Sequence, residues 1–343
     1  MALADIAGQK RAMRFLKRLL EKDAVPHAFL FSGMAGTGKF ATAKEFAKAL
    51  NCLDPQDYDS CGVCTACHKM EEGLHPDVVQ ISSDGASIKL DQIRELRRRF
   101  RFRPFEGKFR VVIIQDVQRL MEPAANAILK ILEEPPEANI FILLVPESQM
   151  LLPTIVSRCC QVRFQPLDDE IVAECLTRED GLSPDQAAVI AGLAGGSIER
   201  ARWLTEEDRI ASWRKVVERL ESLDELSMLD FFPMVSGWAK SRETAEQDLE
   251  FIRLWVRDLI LFRLARDHAL AFELNGRSKE AASSVPPERL FLLYHNVERA
   301  VQGLKVNANL QMTLEGVCLA IKDLLYGKGY WNSFPKRRQD LPF

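Results

Sequence analysis

Residues 33–43 read GMAGTGKFATA. The first seven carry two glycines separated by four residues and then Lys39, the spacing of a loop that cradles phosphate. Gly33, Gly36 and Gly38 let the backbone curl until its N–H groups face an anion at a helix N-terminus. Lys39 would reach the outer phosphates. The next residue ordinarily gives a hydroxyl to Mg²⁺. Here it is Phe40, which has no oxygen to offer.

The flanks supply the context that such a loop requires. HAFLFSG (27–33) is a short apolar run ending in glycine, as a buried strand would, and KFATAKEFAKAL after the loop reads as a helix. RVVIIQD (110–116) and NIFILLV (139–145) have the composition of strands covered on both faces, and QVRF (161–164) reads as a shorter strand. Residues 9–22 read as a charged amphipathic helix. AANAILKILEE (124–134) has helical spacing and stops at Pro135–Pro136. Residues 1–165 therefore predict a three-layer α/β domain with a parallel sheet.

FQPL (164–167) marks a break, and strand patterns end there. Residues 166–205 predict a small domain of about three short helices, punctuated by GLSP (181–184) and GGS (195–197). Residues 206–330 predict a larger all-helical domain. Its clearest helix, 245–270, places Leu249, Ile252, Val256, Leu259 and Ile260 on one face. Residues 331–343 read as a loose tail.

The chain has 343 residues and a formal net charge of −3. That balance excludes a general polyanion binder, so any nucleic-acid contact must be a local patch. No run of 18 apolar residues exists, and MALADIAGQKRAMRF lacks an apolar signal core. A cytoplasmic protein without membrane contact is the expectation. In that compartment eight cysteines are expected as metal ligands or buried thiols, not as disulfides.

A hydrolysing nucleotide site also needs carboxylates at the end of the next central strand, one for Mg²⁺ and one to polarise water. Gln115 and Asp116 stand there. With Phe40, Gln115 makes two departures at one metal site, so the loop has the architecture of a nucleotide site without its metal chemistry. Cys52, Cys61, Cys64 and Cys67 fall within sixteen residues as C-x₈-C-x₂-C-x₂-C. Tight C-x₂-C steps present thiolates from turns to a tetrahedral Zn²⁺. With no open position or general base, the expected zinc is structural, and His68 is a bystander. RELRRRFRFR (94–103) holds six arginines around an apolar face of Leu90, Ile93, Leu96 and Phe100. It is either a solvated helix face or a contact for DNA phosphates or an acidic neighbour. Arg158, between a short helical segment and QVRF, is by itself a residue that caps a helix end.

DIAGQ (5–9), HAFLFSG, the glycine loop, the four-cysteine insertion, AANAILKILEEPP and LLPTIVSRC (151–159) occur in that order. Together they resemble the bacterial clamp-loader subunits of the AAA+ class, and within that family the delta-prime type. The resemblance is specific over 1–165, weaker over 166–205, and rests further on only on KVNANLQMTLE (305–315). It implies an AAA+ domain with a zinc module at 52–67, a helical lid at 166–205 and an oligomerisation collar at 206–330. It implies a subunit that does not hydrolyse ATP or hold it in its own site. Such a subunit helps to load the sliding clamp on primed DNA beside gamma/tau-type motors and a delta-type subunit. The family motif gives Arg158, flanked by Ser157 and Cys159, the role of a guanidinium offered to the neighbour's γ-phosphate. The γ-phosphate sensor of motor subunits falls near Val145 or Pro146, and their lid arginine at Glu199, with Arg200 one place off. The alternatives are an active motor ATPase, which Phe40 and Gln115 oppose, and a stand-alone zinc-bearing nucleic-acid binder, which the acidic pI opposes.

Overall fold

The run Ala28–Ser32 forms β1, buried along its whole length. The computed structural model describes residues 2–83, 87–100, 102–206, 209–238, 241–264, 276–305 and 308–327. β1 shares one parallel sheet with β2 (Val78–Ile81), β3 (Arg110–Ile114), β4 (Asn139–Val145) and β5 (Cys160–Arg163), in the order β2-β3-β4-β1-β5. Ala28 pairs with Phe141 and Ser32 with Val145 on one side of β1. Phe29 pairs with Cys160 and Ser32 with Arg163 on the other. β2 is the strand that the sequence reading did not anticipate. Of its four residues only Ile81 is buried, and Gln80 is exposed, so the apolar signal is faint.

Strand side chains alternate between two cores, as the two-residue period demands. Ala28, Leu30, Val112, Ile114, Phe141 and Leu143 enter one core together with Ile93, Leu96, Ile128 and Leu132. Phe29, Phe31, Val111, Ile113, Ile140 and Ile142 enter the other with Leu16, Ala43, Phe46 and Leu50. The helices behind these contacts are α1 (Lys10–Glu21), α2 (Lys39–Asn51), α4 (Leu90–Arg99) and α5 (Glu122–Glu133), while α3 (Thr65–Glu71) packs against α2. The sheet is thus sandwiched between helical layers. After α6 (Pro153–Val156) and β5 come α7 (Asp169–Glu179), α8 (Pro184–Ala194) and α9 (Ile198–Thr205). Ser183 caps α8 by accepting the Gln186 N–H, and Gly195 ends it in the left-handed conformation.

The chain divides into two compact units, Met1–Trp203 and Leu204–Phe343. Among its described residues the second unit is helical: α10 (Arg209–Ser222), α11 (Met228–Ser236), α12 (Arg242–Leu264), α13 (Gly276–Ser284), α14 (Pro287–Lys305) and α15 (Leu310–Leu324). α12 buries the expected face but also Phe251, Leu254 and Trp255. A helix apolar on most sides belongs at the centre of its unit, and α12 packs chiefly against α14. Residues 265–270 of the anticipated helix, and the tail 331–343, lie outside the described residues. No helix among the described residues is long and apolar enough to cross a membrane.

One buried polar knot shapes the first unit. Asp77, 1% exposed, accepts the backbone N–H groups of Phe105 (2.7 Å), Glu106 (2.8 Å) and Gly107 (2.9 Å). Arg110 donates to the carbonyls of Arg99, Phe102 and Arg103. The α4–β3 connection is therefore fixed at its base while Phe102 and Phe105 stand exposed on it. Burial alone would raise the Asp77 carboxyl. The three N–H groups and Arg110 outweigh it and hold the group below its ordinary value. A carboxyl depressed in the folded state stabilises above its unfolded value and loses that contribution as pH falls through the folded one. Asp77→Asn should lower the melting transition of the first unit, at a cost of about 2–3 kcal/mol near neutral pH. Thermal melts should show the gap to the unchanged protein narrowing below about pH 4.

Candidate functional site

The glycine loop leaves the C-terminal end of β1 and enters α2. Gly38 caps α2 at φ +89° and Gly36 sits at φ +73°, backbone conformations that a Cβ resists. The loop is tied from several sides. Gly33 N–H donates to the carbonyls of Val145 (3.2 Å) and Pro146 (3.0 Å) at the end of β4. The apolar residues at the expected sensor position therefore serve the loop through their backbone. Thr37 Oγ donates to the Met34 carbonyl at 2.8 Å. Gln9 donates its amide to the carbonyls of Thr37 (3.2 Å) and Gln165 (2.7 Å), and accepts the Gln165 N–H at 3.2 Å. The Gly36 carbonyl accepts from Ile198 N–H at 3.0 Å, at the start of α9.

Lys39 turns its Nζ onto carbonyls of its own loop, Gly33 and, at 2.7 Å, Met34. Burial pushes its ammonium below the ordinary value, and the charges of Glu199 and Asp116 oppose that. The structure thus gathers Lys39, Asp116 and Glu199 at the edge where the strands end. Phe40 is committed elsewhere. It is half-buried and packs against the core that holds Phe29, Phe31 and Phe46, with Lys44 Nζ 6.0 Å from its ring centre. Gln115 follows β3, its N–H donating to Ile81 at 2.8 Å. As a neutral amide it lacks the charge that a hard divalent cation favours.

The four cysteines converge. Their sulfurs all lie within 4.8 Å of one another. Cys52 and Cys64 are 4.0 Å apart, Cys61 and Cys67 4.0 Å, and Cys67 and Cys52 3.8 Å. Zn–S bonds of about 2.3 Å make a tetrahedron with edges of about 3.8 Å, so the cluster fits one soft tetrahedral cation. Backbone N–H groups of Cys61 and Cys64 point at the sulfurs of Cys52 and Cys61, each at 3.3 Å, which favours thiolates. His68 is exposed and outside the cluster. Cys159, Cys175 and Cys318 are buried, and burial pushes the Cys159 thiol up to about 12.

Arg158 stands at the other edge of the sheet. It precedes Cys160, the first residue of β5, and Cys160 pairs with Phe29 near the start of β1. Its Nη1 donates to the Thr154 carbonyl at 2.9 Å, and its Nη2 meets Glu133 Oε1 at 2.9 Å. Ser157 Oγ donates to the same carbonyl at 3.2 Å. The arginine-rich helix is partly self-neutralised through Arg94–Asp91 (3.0 Å) and Arg98–Glu95 (3.1 Å). A groove of about 810 Å³ between α4 and α5 is lined by Arg94, Arg97, Arg98, Lys130 and Glu133 among others. Arg101 lies outside the described residues.

Residues 8–168 match the family described as "DNA polymerase III, delta subunit". A DNA polymerase III subunit delta' from Bacillus subtilis (strain 168) is 30% identical over 319 residues, which is 92% of this chain and 96% of its own. The chain belongs to the bacterial AAA+ clamp-loader family of DNA polymerase III subunits. A DNA polymerase III subunit tau from Escherichia coli (strain K12) is 33% identical over 86% of this clamp-loader chain, which spans 49% of that relative's length. A solved gamma subunit-related protein from Thermotoga maritima is 20% identical, with TM-score 0.42, over 90% of this chain and 98% of its own.

Two residues that build the loop of this clamp-loader chain have partners that the sequence does not reveal. Gln9 was legible only as part of DIAGQ, and its hydrogen bonds span 156 residues to Gln165. Gly36 reads as a phosphate-loop glycine, yet its tightest constraint is α9. A Cβ there would meet Ser197 Oγ and the Glu199 amide nitrogen at 2.7 Å. Gly36→Ala should destabilise the first unit by about 2–4 kcal/mol, through the left-handed backbone and this clash. Melting curves, together with faster hydrogen exchange at the Ile198 amide, would show it.

Proposed function

We propose that this chain is a non-hydrolysing, delta-prime-type subunit of the cytoplasmic clamp loader. In this reading it helps to place the sliding clamp on primed DNA, in an assembly with gamma/tau-type motors and a delta-type subunit. One observation carries the reading: the glycine loop and Arg158 occupy opposite edges of the same sheet. An arginine at the strand-start edge is poorly placed to serve a loop at the strand-end edge. It is well placed to serve a neighbour. At a neighbour's ATP, phosphoryl transfer to water spreads charge over the γ-phosphoryl oxygens, and a planar, permanently charged fork suits that charge.

The chain's own loop supports the other half. Phe40 packs in the core and Gln115 is neutral, so Mg²⁺ loses two customary ligands. The carboxylate of Glu199 is one of the charges acting on Lys39 and would repel a phosphate arriving there. The cysteine cluster is read as a structural zinc site, with all four positions taken by thiolates and none open for chemistry. A second reading, an active motor subunit, draws on the tau relative, whose 33% identity exceeds the 30% of the delta' relative.

ATP turnover separates the two readings. The purified chain should show none above the level of Lys39→Ala, and turnover that disappears in that variant would establish the motor reading. Mixed with motor, delta-type and clamp proteins, the chain should enter a stable complex by size and mass. Metal analysis should return close to one zinc per chain. Cys64→Ser should lower both metal content and melting temperature, whereas a metal-free protein with unchanged melting would remove the structural role.

A further inference from the structure

The Arg158 guanidinium is held at two points that belong to different elements. Thr154, in α6, supplies a carbonyl at 2.9 Å, and Glu133, the last residue of α5, supplies a carboxylate oxygen at 2.9 Å. Both supports are fixed to the core. Ile131 and Leu132 are buried just before Glu133, and Ile155 is buried just after Thr154. Pro135–Pro136 prevents α5 from running on.

Helix stability does not explain an acidic residue at this position. The carbonyl end of a helix disfavours carboxylates, and Glu134 adds a second one there. Global stability does not explain the pair either. The Arg158 and Glu133 side chains are 35% and 42% exposed, and ion pairs so open to water contribute little. What the pair does supply is orientation. A carbonyl hydrogen bond and an ion pair, from two rigid elements, fix the direction of the fork and leave most of its five donors for another anion.

We propose that Glu133 is a positioning residue for Arg158, presetting the guanidinium for the γ-phosphate of the adjacent subunit. This rests on the reading of Arg158 as acting on a neighbour. Glu133 touches no substrate. It spares the long arginine side chain the ordering that phosphate would otherwise impose during the reaction. The contact is an ion pair, so a negative charge at that reach is what matters, and an uncharged amide should serve poorly.

The experiment uses full-length chain reconstituted with motor, delta-type and clamp proteins on primed DNA, reading kcat and KM of the stimulated ATPase. Glu133→Ala should lower kcat roughly threefold to tenfold with KM for ATP little changed, as for loss of an orienting partner. Glu133→Gln should recover little of the rate, and Glu133→Asp, which keeps the charge one methylene short, part of it. Assembly, checked by mass, should be intact in each. Arg158→Ala should fall lower still, and Glu133→Ala combined with Arg158→Ala should match Arg158→Ala alone. A wild-type rate in Glu133→Ala beside a defective Arg158→Ala would overturn the positioning role and leave the neighbour reading standing. Additive losses in the double variant would also overturn it, by placing the action of Glu133 elsewhere. A wild-type rate in Arg158→Ala would remove the neighbour reading itself.

Discussion

A single backbone hydrogen bond, from Ile198 N–H to the Gly36 carbonyl, joins the glycine loop to the first turn of α9. Much of the first unit depends on it. The bond needs the loop to approach closer than any side chain permits, which is why position 36 must be glycine. It brings the start of α9 to the loop, where the charge of the residue after Ile198, with that of Asp116, opposes the effect of burial on Lys39. That residue is acidic. Gln9 reinforces the arrangement by binding the loop and the Gln165 backbone at once, so loop and helical segment share one frame.

The chemistry of the loop and the packing beneath it compete for the same position. In a hydrolysing loop the residue after the lysine faces a cation. Phe40 instead joins the aromatic layer of Phe29, Phe31 and Phe46. The side chain at that position is thus a packing group, half-buried against the core, with no oxygen to offer. Restoring a hydroxyl there would remove a packed ring as well as add a ligand. The departure at position 40 therefore touches the packing beneath the loop as well as the pocket.

The sheet was largely legible, because β1, β3 and β4 are apolar but for Ser32, Arg110 and Asn139 at their ends. β2 was not, because Val78–Ile81 is short and half-exposed. For α12 the expected apolar face was right but incomplete. A heptad-like stripe was visible, whereas burial of Phe251, Leu254 and Trp255 follows from the helices packed around it, which no local window reveals. The cysteine cluster was legible because its ligands are close in sequence. The partners of Gln9, Gly36 and Arg158 were not, because each is set by contacts between elements far apart in the chain.

The geometry of the cysteine cluster also carries a redox consequence. Sulfurs 3.8 to 4.0 Å apart are unbonded, yet the step to a disulfide bond of about 2.05 Å is small. Each such bond would remove two of the four donors at once. A bond from Cys52 to Cys64 or Cys67 would also pull the end of α2 toward α3. α2 begins at Lys39, so oxidation of the cluster would strain the helix whose first residue closes the glycine loop.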